Sequence, residues 1–252
     1  KKADYVFLPF YFEEKTDQVI SSRMVKVFGI GESSLECEIL DRIEGQSNPT
    51  IAPYVKQGEI TLRVTAGCKN QEDADKLIEP VVNELKKRLG NKVYSTCGES
   101  MEESLAKELF NKNLKLATAE SCTGGMLASR LMNVSGISQA YDRGYITYDN
   151  KAKIEELSVK EETLKIHGAV SSETAMEMVK GLKEKTDANV CISVTGIAGP
   201  TGGTPEKPVG TVFIGVEVNG MSKVEKLQLI GNRDRIRNVT CLHAMDIARQ
   251  MI

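Results

Sequence analysis

The chain has 252 residues, with 33 Lys and Arg against 35 Asp and Glu and a net charge of −2. That length suits two domains, each with its own core, and the interspersed charge offers no broad field for a nucleic-acid partner. No apolar run approaches the roughly 18 residues of a membrane span; six cysteines without a CxxC pair and two distant histidines, His167 and His243, indicate reduced thiols in a cytoplasmic protein with no metal or cofactor.

Residues 1–22 contain KKADYVFLPFYFEEK, an aromatic-apolar run followed by charge, and read as the tail of an upstream domain or a linker. Residues 23–95 form a first, smaller α+β unit. Arg23 to Phe28 alternates as a strand, Gly29 to Ser34 turns into a helix reaching about Arg42, and Asn48 to Gly58 is a polar connection with two prolines. Glu59 to Ala66 alternates strongly through Ile60, Leu62 and Val64, whereas Ala74, Leu77, Val81, Leu85 and Leu89 recur at helical spacing. Val93 to Ser95 closes the sheet.

Residues 96–252 form the second unit. Ser100-Met101-Glu102-Glu103 is a capping box opening a helix through Asn111. The stretch from Leu114 to Val159 then makes two strand-to-helix corners. The first, Glu120 to Gly125, is either an anion-binding turn at a helix N-terminus or a plain Ser/Thr cap with glycines. At the second, the strand Tyr145 to Tyr148 is followed by Asp149 and Asn150 as caps, and Lys153 falls in the first helical turn. A cation there opposes the helix dipole; the amine is either solvated or, if buried, neutral and able to act as a general base. A rival nucleophile is Cys122, beside a helix N-terminus.

Lys160 to Lys165 is polar, and Ser171 or Ser172 caps a helix reaching about Lys185. Asn189 to Val194 is a continuous apolar run, hence a buried strand delivering Thr195 to a loop from Gly196 to Gly210 with five glycines and three prolines. Turn chemistry that dense forbids helix or strand, and its place after a buried strand makes it a ligand-covering loop. Thr211 to Val218 and Lys223 to Leu229 form a hairpin around Asn219-Gly220. The last helix begins near Asn232, with Arg233, Arg235 and Arg237 in its first turns, where an arginine is either solvated or aimed at an anion.

The blocks AESCTGG, GIS-x5-GYITYDNKAK, HGAVSSETA, VTGIAGPTGGTPEKPVGTV and GNRDRIR resemble, in order, the C-terminal domain of the CinA (competence/damage-inducible) family. Residues 23–95 resemble the family's KH-like middle domain, and the resemblance implies a molybdopterin-binding-like domain upstream that this sequence does not include. Gly29-Ile30-Gly31-Glu32 is not the GXXG clamp of a nucleic-acid-binding KH module, so a structural or dimer-forming role is expected and nucleic acid is not. The fold class implied is α/β, with a three-layer α/β/α C-terminal domain preceded by the KH-like unit.

The resemblance further implies a nicotinamide-nucleotide amidase, converting nicotinamide mononucleotide and water to nicotinate mononucleotide and ammonia. Position by position, the nucleophile is Ser138, with Tyr148 and Lys153 as its partners, although Gly136-Ile137-Ser138 stands where the family commonly has Gly-Ser-Ser. Thr195 and Arg235 match further functional positions; for such a reaction, backbone N–H groups near Thr195 are candidate oxyanion donors, and the turn with Ser121, Thr123 and Gly124, or Arg235, is the candidate phosphate anchor. The hydrolase reading rests on Lys153 lying beside Ser138. The contrasting reading is an inactive nucleotide-binding or partner-recruiting module.

Overall fold

A computed structural model describes residues 19–56 and 58–252. The expectation for residues 1–18 lies outside the described residues; the last part of that stretch, from Val19, is already strand. The first unit runs β1 (Val19–Val27), α1 (Glu32–Ile43), β2 (Thr50–Lys56), β3 (Glu59–Cys68), α2 (Gln71–Leu89) and β4 (Val93–Ser95), in an antiparallel sheet of order β2-β3-β1-β4. Alternation puts Val25, Val27, Ile60, Leu62 and Val64 on one face, where they pack against Leu35 and Ile39 of α1 and Ile78 and Leu85 of α2. The expected polar connection at 48–58 is instead mostly β2. It is an edge strand, where Pro53 costs no central ladder bond and most side chains face solvent, so neither prolines nor periodicity betray it.

The second unit runs α3 (Met101–Asn111), β5 (Leu116–Glu120), α4 (Met126–Met132), β6 (Tyr141–Ile146), α5 (Asn150–Leu157), α6 (Glu161–His167), α7 (Ser172–Glu184), β7 (Val190–Gly196), β8 (Thr211–Val218), β9 (Met221–Gln228) and α8 (Arg233–Met251). Its sheet has the order β6-β5-β7-β8-β9, parallel across β6, β5 and β7 and antiparallel beyond. Leu105, Leu127, Leu242 and Met245 of α3, α4 and α8 cover one face, and Leu157, Met178 and Leu182 of α5 and α7 cover the other, giving three layers. Interior strand β5 is buried along its whole length, as a strand covered on both faces must be. The capping box is formed, with Ser100 Oγ accepting from Glu103 N–H and the Glu103 carboxylate from Ser100 N–H.

α6 and the true start of β6 differ from the sequence expectation. α6 has no buried residue, so it lacks an apolar stripe; Glu161 and Glu162 in its first turn and Lys165 and His167 in its last suit the dipole instead. One glycine positions the site from a distance: a Cβ at Gly181 of α7 would collide with the carbonyl of Leu157, so glycine lets α7 close against the end of α5. Among the described residues no helix is long and apolar enough to cross a membrane.

Candidate active site

The site lies at the C-terminal ends of the parallel strands. Thr147 N–H donates to Glu120 O and Ser121 N–H to Val194 O, both at 2.9 Å, so β6, β5 and β7 end level and Ser121 is the first residue past the strand. Gly124 and Gly125, with φ of +57° and +89°, then reverse the chain into α4. The N–H groups of Gly125, Leu127 and Ala128 donate to the buried Glu120 carboxylate at 3.0, 3.0 and 2.8 Å. That corrects the anion-turn expectation, because the chain's own carboxylate already fills the positive end of α4. Thr123 is buried, with its carbonyl accepting from Arg237 Nη2 at 2.6 Å, and Gly124 is exposed with its N–H spent on Ser121 O; neither lines the cavity that holds Ser121.

Lys153 projects from the first turn of α5, which Asp149 caps by accepting from Lys151 N–H at 2.8 Å. Its side chain is 1% exposed. Nζ lies 2.8 Å from Thr147 O, 3.1 Å from Tyr148 O and 3.2 Å from Ser121 Oγ. Burial lowers its pKa from the ordinary lysine range, with Asp149 and Cys122 pulling the other way. A neutral amine has two hydrogens and one lone pair. As an ammonium, Nζ donates to both carbonyls and to Ser121 Oγ; once deprotonated, it keeps two hydrogens for the carbonyls and turns its lone pair to the Ser121 hydroxyl.

Ser138 is therefore not the partner of Lys153. It is exposed in a short 3-10 turn before β6, at the other end of the sheet, where Leu116 N–H donates to Ala140 O. The four residue steps from Leu116 to Glu120 alone span about 13 Å. Nothing of Ser138 joins the cavity, so the juxtaposition of Lys153 and Ser138 on which the hydrolase expectation rested is not present; the hydroxyl beside Lys153 Nζ belongs to Ser121, expected from the sequence to bind substrate. Tyr148 does line the cavity, but it is 62% exposed and meets Lys153 through its carbonyl, not its phenol.

The cavity encloses about 320 Å³ between Ser121, Tyr148, Lys153, Thr195, Ala169 and Arg233. Thr195 pairs with Phe213 of β8 and donates its hydroxyl to Ala169 O at 2.7 Å. Arg235 turns away: its Nε donates to Ile230 O at 3.2 Å on the exposed surface. Arg233, two residues earlier, lines the cavity and donates to Gly199 O at 2.8 Å. Sequence reasoning had no means of choosing among three arginines at alternate positions; only the direction of the first turn of α8 separates them. Cys122 lines the same cavity, but burial pushes its thiol up to about 12, which disfavours the thiolate that a cysteine nucleophile needs.

Residues 98–252 match the CinA C-terminal domain and residues 22–95 the KH domain of damage-inducible protein CinA. A CinA-like protein of Kosmotoga olearia is 46% identical over 242 residues, which is 96% of this chain and 59% of that protein. One from Dictyoglomus turgidum is 46% identical over 240 residues, 95% of this chain and 58% of that protein. The chain thus spans about 59% of the length of the curated relatives it matches. Among solved structures, the competence/damage inducible protein CihA of Agrobacterium tumefaciens is 39% identical with a TM-score of 0.56, covering 59% of this chain and 94% of its own. A CinA superfamily protein of Escherichia coli is 30% identical with a TM-score of 0.58, covering 64% of this chain and 97% of its own.

Proposed function

The chain belongs to the CinA family, and from that premise we propose that it is a serine amidohydrolase acting on the carboxamide of nicotinamide mononucleotide in the cytoplasm. The observation that carries the reading is the buried amine of Lys153 beside Ser121 Oγ, with its two other neighbours being carbonyls. Desolvation keeps a lysine neutral only where something excludes water, and a neutral amine next to a hydroxyl at the mouth of a cavity is a general base aimed at a nucleophile.

In the first half-reaction Ser121 Oγ attacks the carboxamide carbon while Lys153 Nζ takes the hydroxyl proton. Collapse of the tetrahedral adduct breaks the C–N bond, and Lys153 returns the proton to the departing nitrogen, which leaves as ammonia. Water then attacks the acyl-Ser121 ester with Lys153 again accepting the proton. Collapse of the second adduct breaks the ester C–O bond, Lys153 returns the proton to Ser121 Oγ, and nicotinate mononucleotide is released. Arg233 is positioned to meet the substrate phosphate, since its guanidinium lines the cavity and one donor suffices for Gly199 O. A cavity of about 320 Å³ falls in the range of small-ligand sites.

The test is ammonia release from nicotinamide mononucleotide. Ser121→Ala is expected to lose at least about 10⁴-fold in kcat, as removal of a nucleophile does, whereas Ser138→Ala stays within about threefold. Full activity in Ser121→Ala would remove the proposal.

A further inference from the structure

An acyl transfer needs donors for the oxyanion as much as it needs a nucleophile. The segment leading into α7 is built in a way that capping alone does not require. Three consecutive carbonyls are each fixed by a donor from elsewhere: His167 O accepts from Lys207 Nζ at 2.6 Å, Gly168 O from Thr174 Oγ1 at 2.8 Å and Ser171 Oγ at 3.1 Å, and Ala169 O from Thr195 Oγ1 at 2.7 Å. In a trans peptide the N–H points opposite to its carbonyl. Fixing the Gly168 and Ala169 carbonyls therefore fixes the directions of the Ala169 and Val170 N–H groups. Neither N–H has an acceptor among the described residues, and Ala169 and Val170 line the same cavity as Ser121 and Lys153. Both residues are half-buried, where an unpaired N–H is costly unless a ligand meets it.

We propose that the peptide N–H groups of Ala169 and Val170 are the oxyanion donors of this site, that Thr174 and Thr195 orient them directly by holding the Gly168 and Ala169 carbonyls, and that Lys207 is a positioning residue one peptide upstream, anchoring the segment through His167 O. The proposal rests on the amidase reading above. It also explains the glycine-rich loop: Lys207 reaches from that loop to the C-terminal carbonyl of α6, so the loop that lines one wall of the cavity is tied to the segment that supplies the donors. Thr204 N–H donates to Lys207 O at 2.9 Å and Lys207 N–H to Thr204 Oγ1 at 3.1 Å, fixing the lysine within its own loop.

The experiment compares wild type with Lys207→Met, Lys207→Arg, Thr195→Val and Thr195→Ser in the full chain, using nicotinamide mononucleotide and its thioamide analogue. Misplacing the donors is expected to lower kcat by about 10- to 100-fold with KM within about threefold, because the bonds tighten only in the tetrahedral state. Arg at 207 and Ser at 195 keep a donor and recover most of the rate. Sulfur accepts hydrogen bonds poorly, so the preference of the wild type for oxygen over sulfur shrinks in Lys207→Met and Thr195→Val; a merely structural role leaves that ratio alone. If the wild type releases no ammonia, the amidase reading fails and takes this assignment with it. If the wild type is active through Ser121 while Lys207→Met and Thr195→Val keep their kcat and their oxygen preference, this assignment alone is overturned.

Discussion

Replacing Glu120 by glutamine asks whether the turn carrying Ser121 is held in place by the last residue of its own strand. One carboxylate oxygen accepts from Gly125 and Leu127 at 3.0 Å each and the other from Ala128 at 2.8 Å. A glutamine that keeps its oxygen on the first pair turns an NH2 group toward the Ala128 N–H, donor against donor. That loses one charge-assisted bond, about 1.5–3 kcal/mol, and converts two others to neutral bonds at about 0.5–1 kcal/mol each. Relaxation of the short α4 recovers part, leaving an expected loss of about 3 kcal/mol. Urea unfolding followed by far-UV circular dichroism reads it as an earlier transition of the C-terminal unit, with ammonia release falling in parallel because Ser121 is the next residue. A change below about 0.5 kcal/mol would refute the reasoning, showing that water satisfies those three N–H groups as well as the carboxylate does.

Burial lowers the Lys153 pKa, so kcat/KM for nicotinamide mononucleotide should rise tenfold per pH unit up to that pKa and then level off. The stability sign follows: between the folded and the unfolded pKa the unfolded chain binds more protons, so stability rises with pH across that window, and the penalty is fully present below it. Urea midpoints against pH should show this slope in wild type and lose it in Lys153→Met; a flat kcat/KM profile would remove the amine as base. Arg233→Ala should raise KM for the mononucleotide about 10- to 100-fold, the value of a charge-assisted contact, while Arg235→Ala stays within twofold. Equal effects of the two substitutions would argue against a phosphate contact by Arg233.

The elements with strong local signals were legible. β3 alternates, α2 is the helix its spacing implied although its buried stripe runs through Ile78 and Val82 where Leu77 and Val81 were expected, Ser100 and Glu103 make their reciprocal cap, and Asn219-Gly220 turns the hairpin between β8 and β9. β2, the first half of β6 and α6 were not, because edge strands and a helix with no buried residue lack the periodicity that burial imposes. Lys153 was legible for a physical reason, a cation at the wrong end of a helix. Its partner was not, since Ser121 and Ser138 both sit in glycine-containing turns and only the parallel register of β5 and β6 decides which hydroxyl reaches the amine. The Ala169 and Val170 amides left no trace in side-chain identity at all; what marks them is the convergence of Lys207, Thr174 and Thr195 from distant parts of the chain.

α8 touches both halves of the molecule. His243 packs edge-on against Phe28 with ring centroids 4.7 Å apart, and Arg249 donates to Asn91 O at 2.7 Å, while Arg233 and Arg237 of the same helix reach Gly199 O and Thr123 O. Ten residues separate His243 from Arg233, roughly 15 Å of rigid rod. One helix thus joins the small N-terminal module to the mouth of the cleft without an intervening loop.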